Sequence, residues 1–141
     1  GRAFGKEQPK YLTVKLDENK QKVYGLNTVN LQEHIHIVEG PIDSMFVKNC
    51  LAAAGADLTL KVEPSNVTYI FDNEPRNKHT VERMYKSADR NYNVVVWPDD
   101  LKQKDINDMV LAGYHDIMGF IKTRTFRGLQ AYLEINKWKK I

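Results

Sequence analysis

At 141 residues with a formal net charge of +3, the chain is long enough for one domain with a real core, and its charge neither requires nor forbids a nucleic-acid partner. A single cysteine, Cys50, excludes an intrachain disulfide framework and a cysteine-built zinc cage, and it fits a reducing, cytoplasmic compartment. No apolar run approaches the ~20 residues of a membrane span, and no signal-peptide pattern opens the chain. The first residue is Gly1 rather than Met, so a fragment of a longer protein with further domains is expected.

Residues 1–10 are polar and basic and read as a flexible lead-in; Arg2, Lys6 and Lys10, with Lys15 just beyond, read first as a disordered basic tail and second as charges able to guide a single nucleic-acid strand. Tyr11 to Leu16 alternates apolar and polar residues, which predicts a strand. After the turn Asp17–Lys20, Lys22 to Tyr24 is expected to return as the second arm of a hairpin. Ile35 to Val38 is a short β-rich run that breaks on Gly40 and Pro41, and proline is tolerated in a first helical turn. The spacing of Ile42, Met45, Phe46, Asn49, Cys50 and Ala53 predicts a helix over residues 41–54, stopped by Gly55.

Ala56 to Val62 reads as a short strand, Pro64–Asn66 as a turn, and Val67 to Phe71 as a strand of β-branched and aromatic residues. A helix over 77–89 places Val81, Met84, Tyr85 and Ala88 on one face. Val94 to Trp97 reads as a strand covered on both faces, and a helix opening near Lys104–Asp108 stops at Gly113. Residues 114–141 are expected to form one or two helices. The alternation predicts an α/β fold, an open and mainly parallel sheet flanked by helices, with an N-terminal hairpin and C-terminal helices.

Three acidic clusters each follow a predicted strand: Glu39 with Asp43, Asp72 with Glu74, and Asp105 with Asp108, the last preceded by Asp99 and Asp100. In open α/β sheets ligands bind beyond the carboxyl ends of the strands. If the strands ending at Glu39 and Asp72 are neighbours, about 4.8 Å apart, these carboxylates can meet on one cation. Asp72 and Glu74, spaced i, i+2, share a side of an extended segment. Oxygen donors without His or Cys suit Mg²⁺, which keeps waters for substrate phosphates. Glu39, if not a ligand, is the candidate proton-handling group. Any one of these residues alone is equally an N-cap or turn residue; the three clusters together favour the metal site.

At these residues the sequence resembles the Toprim family, shared by primases, type IA and type II topoisomerases and some nucleases. Val38-Glu39-Gly40-Pro41-Ile42-Asp43 looks like the primase form Glu-Gly-x-x-Asp of the first motif. Phe71-Asp72-Asn73-Glu74 stands in the place of Asp-x-Asp, with Glu for the second Asp. Lys104-Asp105-Ile106-Asn107-Asp108 looks like the Lys-Asp-x-Asn-Asp stretch of phage (T-even-like) and bacterial primases.

The resemblance covers residues 22–113 and implies the catalytic domain of a DNA primase, a nucleotidyltransferase that makes short RNA primers. Residues 1–21 would then be a lead-in and N-terminal strand, and 114–141 a helical extension. It implies catalytic roles for Glu39, Asp72 and Glu74, and a Mg²⁺ site (Mn²⁺ able to substitute) drawing on Glu39, Asp43, Asp72, Glu74, Asp105 and Asp108. Nucleotide or nucleic-acid contacts would come from Arg76, Lys78 and Lys104. The implied partners are single-stranded DNA template, ribonucleoside triphosphates and a replicative helicase, with no membrane; no structural zinc is expected in this fragment. Two other readings stay open: a Toprim nuclease or topoisomerase part, and a non-catalytic module binding nucleic acid or a replication partner.

The remaining residues read more simply. His79 and Arg83 belong equally to a phosphate contact or to a solvated helix face. His34 and His36 share a strand face without third and fourth ligands at a telling spacing, so hydrogen-bonded histidines are expected. Cys50, Trp97 and Trp138 read as packing residues.

Overall fold

A computed structural model describes residues 12–15, 23–53 and 57–141. The basic residues 1–10, the Asp17–Lys20 turn and Gly55 lie outside them. Six strands form one sheet in the order β2-β4-β3-β6-β7-β8. They are β2 (Val23–Tyr24), β3 (Ile35–Val38), β4 (Cys50–Ala53), β6 (Val67–Ile70), β7 (Asn93–Val95) and β8 (Thr125–Phe126). The four central strands, β4, β3, β6 and β7, run parallel, and the two edge strands are antiparallel. A separate antiparallel pair joins β1 (Leu12–Lys15) to β5 (Asp57–Leu60). The expected hairpin between the first two strands is therefore not the pairing formed: β1 pairs with β5 and β2 with β4.

All four residues of β3 are buried, as a central strand covered on both faces requires. Its alternation splits the core in two. Ile35 and Ile37 join Leu51, Ala53 and Val67 on one side, while Val38 joins Ala52, Ile70 and the helices in the larger cluster. Helix α2 (Lys78–Asp89) buries Val81, Met84 and Ala88, as its spacing predicts, and Asn77 caps it by accepting from the Thr80 amide.

Helices α4 (Ile117–Thr123) and α5 (Gly128–Trp138) send Ile117, Ile121, Ala131, Ile135 and Trp138 into that same larger cluster. Between them β8 adds a two-residue strand where only helix was expected, its Phe126 in register with Val94 of β7. Two tyrosines clasp α2 to α5: the Tyr85 hydroxyl donates to Asn136 and the Tyr132 hydroxyl to Asp89. Among the described residues no helix is long and apolar enough to cross a membrane.

The predicted helix over 41–54 is corrected. Helix α1 lasts one turn, Pro41–Ser44, and Cys50 starts β4 instead of lying on a helix face. The helix has ended by Met45, and just before β4 Asn49 enters the left-handed region at φ 47°, a conformation asparagine tolerates. Its side-chain amide donates to the Asn30 and His34 carbonyls, and its own carbonyl accepts from the His36 amide, which starts the β3–β4 ladder. The stripe then dissolves: Ile42 and Met45 are exposed at 55% and 77%. Opposite this bend, Gly25 sits at φ +95° with the Cys50 carbonyl only 2.6 Å from where a Cβ would stand, so no other residue fits that approach.

Candidate active site

β3 and β6 are parallel neighbours with Val38 in register with Ile70. The residues that follow them, Glu39 and Asp72, therefore leave the sheet side by side at its carboxyl edge. The Asp72 amide donates to Glu39 Oε2 at 2.6 Å, and Arg83 Nη1 pairs with Glu39 Oε1 at 3.0 Å. Arg83 reaches across from α2, its guanidinium 5.0 Å from the centre of the Phe71 ring, a distance at which cation and ring attract. Glu39 is thus held at both oxygens. Arg83, weighed above as a phosphate contact or a solvated residue, is half-buried and pairs with Glu39.

Asp43 is 6% exposed and turns from α1 onto α3 (Ile106–Leu111), its Oδ1 accepting the Asn107 amide at 2.8 Å. Burial pushes its pKa up; the Asn107 hydrogen bond opposes this, while the charges of Asp105, Asp108 and Glu39 add to it. Asp105 is the N-cap of α3, accepting from the Asp108 amide at 2.8 Å, so the capping reading holds for that residue. Asp108 is exposed, as are Asp99 and Asp100.

Asp72 is half-buried, and its carboxylate accepts no hydrogen bond from the described residues. Burial raises its pKa to about 7, with Glu39, Asp43, Asp105 and Glu74 adding repulsion in that order. The electrostatics thus tie members of all three acidic clusters to one edge. The expected extended Asp72–Glu74 pair is corrected: the Glu74 amide donates to the Asp72 carbonyl at 2.8 Å and closes a three-residue turn. Glu74 faces Lys104, 3.8 Å away. Arg76 and Lys78 lie beyond the turn and are exposed.

Asn73, which the sequence offered only as the middle of a motif, shapes that turn. Its amide donates to the Lys104 carbonyl at 2.6 Å and its side chain to the carbonyls of Leu101 and Gln103, both at 3.0 Å. Its Oδ1 accepts from Trp138 Nε1 at 2.9 Å. Asn73 therefore binds the 101–104 loop and the end of α5 to the acidic edge. Nothing in the local sequence signals bonds that reach 28 to 65 residues along the chain. Asn73→Ala removes three side-chain bonds and leaves the Trp138 donor unpaired. We expect it to cost about 2–4 kcal/mol in urea unfolding and to increase amide exchange at residues 101–104.

Among the described residues no three Asp, Glu, His or Cys side chains already stand as a metal-ligating group. The donor chemistry nevertheless fits a hard cation held by one or two carboxylates and waters. Asp72 supplies an unpartnered carboxylate, and the surrounding acids supply repulsion that a cation would relieve.

Fold and site together define an α/β domain with an acidic cluster at the carboxyl edge of its parallel strands. No protein-family model matches the chain. It is 36% identical over 148 aligned residues to the DNA primase of Enterobacteria phage T4, an alignment that takes in 100% of this chain. The chain is primase-related in sequence and spans 43% of that protein's length.

Proposed function

We propose that this chain is the Toprim catalytic domain of a DNA primase, with residues 22–113 as its catalytic unit, making short RNA primers on single-stranded DNA from ribonucleoside triphosphates. The observation that carries the reading is Asp72, a half-buried carboxylate that has no hydrogen-bond donor among the described residues and is repelled by four other acids. The likeness to a phage primase supports it independently. The work then belongs to the cytoplasm, a phage host's if the protein is viral, beside a replicative helicase.

In this reading Asp72 would be the principal residue holding Mg²⁺, Glu74 and Asp43 would help to hold it, and Asp105 and Asp108 would add negative charge. The bound ion would neutralise charge on the transferring phosphate and lower the barrier to in-line displacement. Glu39, fixed by Arg83 and the Asp72 amide, takes the proton of the primer 3′-hydroxyl. That oxygen forms its bond to the α-phosphorus as the bond to pyrophosphate breaks. Lys104, Arg76 and Lys78, exposed at the same edge or just past it, meet triphosphate or template backbone.

Titration of Mn²⁺ into isotope-labelled protein tests the site. Selective broadening of the amide signals of Glu39, Asp72 to Glu74 and Asp105 is the expected result. Diffuse broadening would sink the reading and leave a nucleic-acid-binding module. Metal-dependent nicking of plasmid DNA without added nucleotide would instead favour a Toprim nuclease or topoisomerase part.

A further inference from the structure

A concavity with mixed polar and apolar lining lies at the opposite edge of the sheet, where the parallel strands begin. Its volume is about 410 Å³, within the range of small-molecule sites. His36 lines it from β3, His34 from the residue just before that strand, Thr68 from β6 and Asn93 from β7. Met118 and Ile121 of α4 give it an apolar floor, and Lys48 and Lys122 stand at its margin. None of these residues belongs to the acidic edge.

His36 is the built element of this site. It is 9% exposed, and its Nδ1 lies 2.7 Å from the Lys48 carbonyl. A carbonyl only accepts, so Nδ1 carries the proton, and Nε2 of the neutral ring is an acceptor with no partner among the described residues. Burial first, then the charges of His34 and Lys122, lower the pKa of His36 and keep the ring neutral near pH 7, against the opposing Lys48 bond. Asn93 repeats the pattern. Its Nδ2 donates to the Ser65 and Val67 carbonyls at 2.9 and 3.0 Å, which leaves Oδ1 as an acceptor. Glu33, held by Asn30 Nδ2 at 3.0 Å, is a third acceptor on the rim. Lys48 and Lys122 make no ion pair among the described residues.

The site thus offers acceptors at His36 Nε2 and Asn93 Oδ1, apolar contact from Met118 and Ile121, and the cations Lys48 and Lys122, unpaired among the described residues. Together these suit a ligand with a hydrogen-bond donor, an apolar body and an anionic group. We propose that it binds a purine nucleoside monophosphate, whose base rests on Met118 and Ile121, whose ring N–H or amino group donates to His36 Nε2, and whose phosphate is held by Lys48 and Lys122. This nucleotide site is separate from the acidic edge and does not depend on the primase reading.

The test is a titration of the labelled protein with AMP and GMP in the absence of divalent metal, beside adenosine, guanosine, inorganic phosphate and a short oligothymidylate. At least one of the two nucleotides should saturate and shift the signals of His34, His36, Thr68 and Lys122, leaving Asp72 and Lys104 in place. Lys48→Glu and Lys122→Glu, both at exposed positions, should each weaken binding about tenfold or more, as expected for a lost charge-assisted bond. Equal shifts with inorganic phosphate alone would reduce the site to an anion patch and overturn the proposal. So would shifts centred on Asp72, tighter binding of the oligonucleotide at these residues, or no response to either nucleotide at millimolar concentration. Nucleotide binding here with no Mn²⁺ effect at Asp72 would keep this site while removing the primase assignment.

Discussion

Glu39→Gln in the full-length protein should lower primer synthesis by about 10²–10⁴-fold, the range lost when a positioned proton acceptor is removed, while the domain stays folded. Glutamine has nearly the shape of glutamate, and its side-chain carbonyl can still accept the Asp72 amide hydrogen now taken by Glu39 Oε2. What disappears is the charge facing Arg83. That ion pair is partly exposed, at 27% and 22% of the two side chains, so its loss should cost only about 1 kcal/mol of stability.

Arg83 provides the control. It acts through Glu39, and Arg83→Lys keeps a cation while losing the planar stack on Phe71. Synthesis by Arg83→Lys should fall about tenfold, with an altered pH profile, because the acceptor is less firmly held and loses part of its electrostatic support. Full activity in Glu39→Gln, measured as primer yield on single-stranded template beside an unchanged circular-dichroism spectrum, would remove Glu39 from the chemistry.

The acidic edge was legible because it rests on short-range signals. A β-rich run, a Gly-Pro break and an acid between them place Glu39 at a strand end, and the structure has it there, one register step past Val38. The Val67–Ile70 strand and the α2 face were readable for the same reason: alternation and helical spacing are local. The failures are non-local. The apolar stripe from Ile42 to Ala53 looked helical because spacing alone does not register that Asn49 adopts a positive φ and ties together residues 30, 34 and 36. The β1–β5 pairing closes over more than forty residues, and β8 is two residues long, too short for any pattern. The Arg83–Glu39 pair and the Asn73–Trp138 bond link positions 44 and 65 apart. Each residue was visible in the sequence, but its partner was not.

Asp72→Asn should separate the cost of the acidic edge from its use. The folded pKa of Asp72, about 7, lies above the ordinary carboxylate value, so between about pH 4 and pH 7 the folded state holds a proton that the unfolded state has released. By linkage its contribution to stability is fully present below the unfolded pKa and is lost as pH rises through the folded one. Asp43, also raised by burial, contributes in the same direction. Because Asp72 is only half-buried, solvent screening reduces the effect to about 1–2 kcal/mol. At pH 8 without divalent metal, Asp72→Asn should therefore be the more stable protein by that amount, and the difference should vanish towards pH 4.

Added Mg²⁺ should reverse the order at pH 8, raising the midpoint of the parent and leaving that of Asp72→Asn nearly unmoved. The metal effect in the parent should fade below about pH 6, as protons compete for the same oxygens. Urea midpoints for both proteins at pH 4, 6 and 8, with and without Mg²⁺, give the comparison. A variant that tracks its parent at every pH would show that the repulsion at this edge is absent. A variant that is more stable without metal, beside a parent indifferent to Mg²⁺, would show the repulsion to be real but unrelieved by that cation, and the metal-site assignment would fail while the electrostatic one survived.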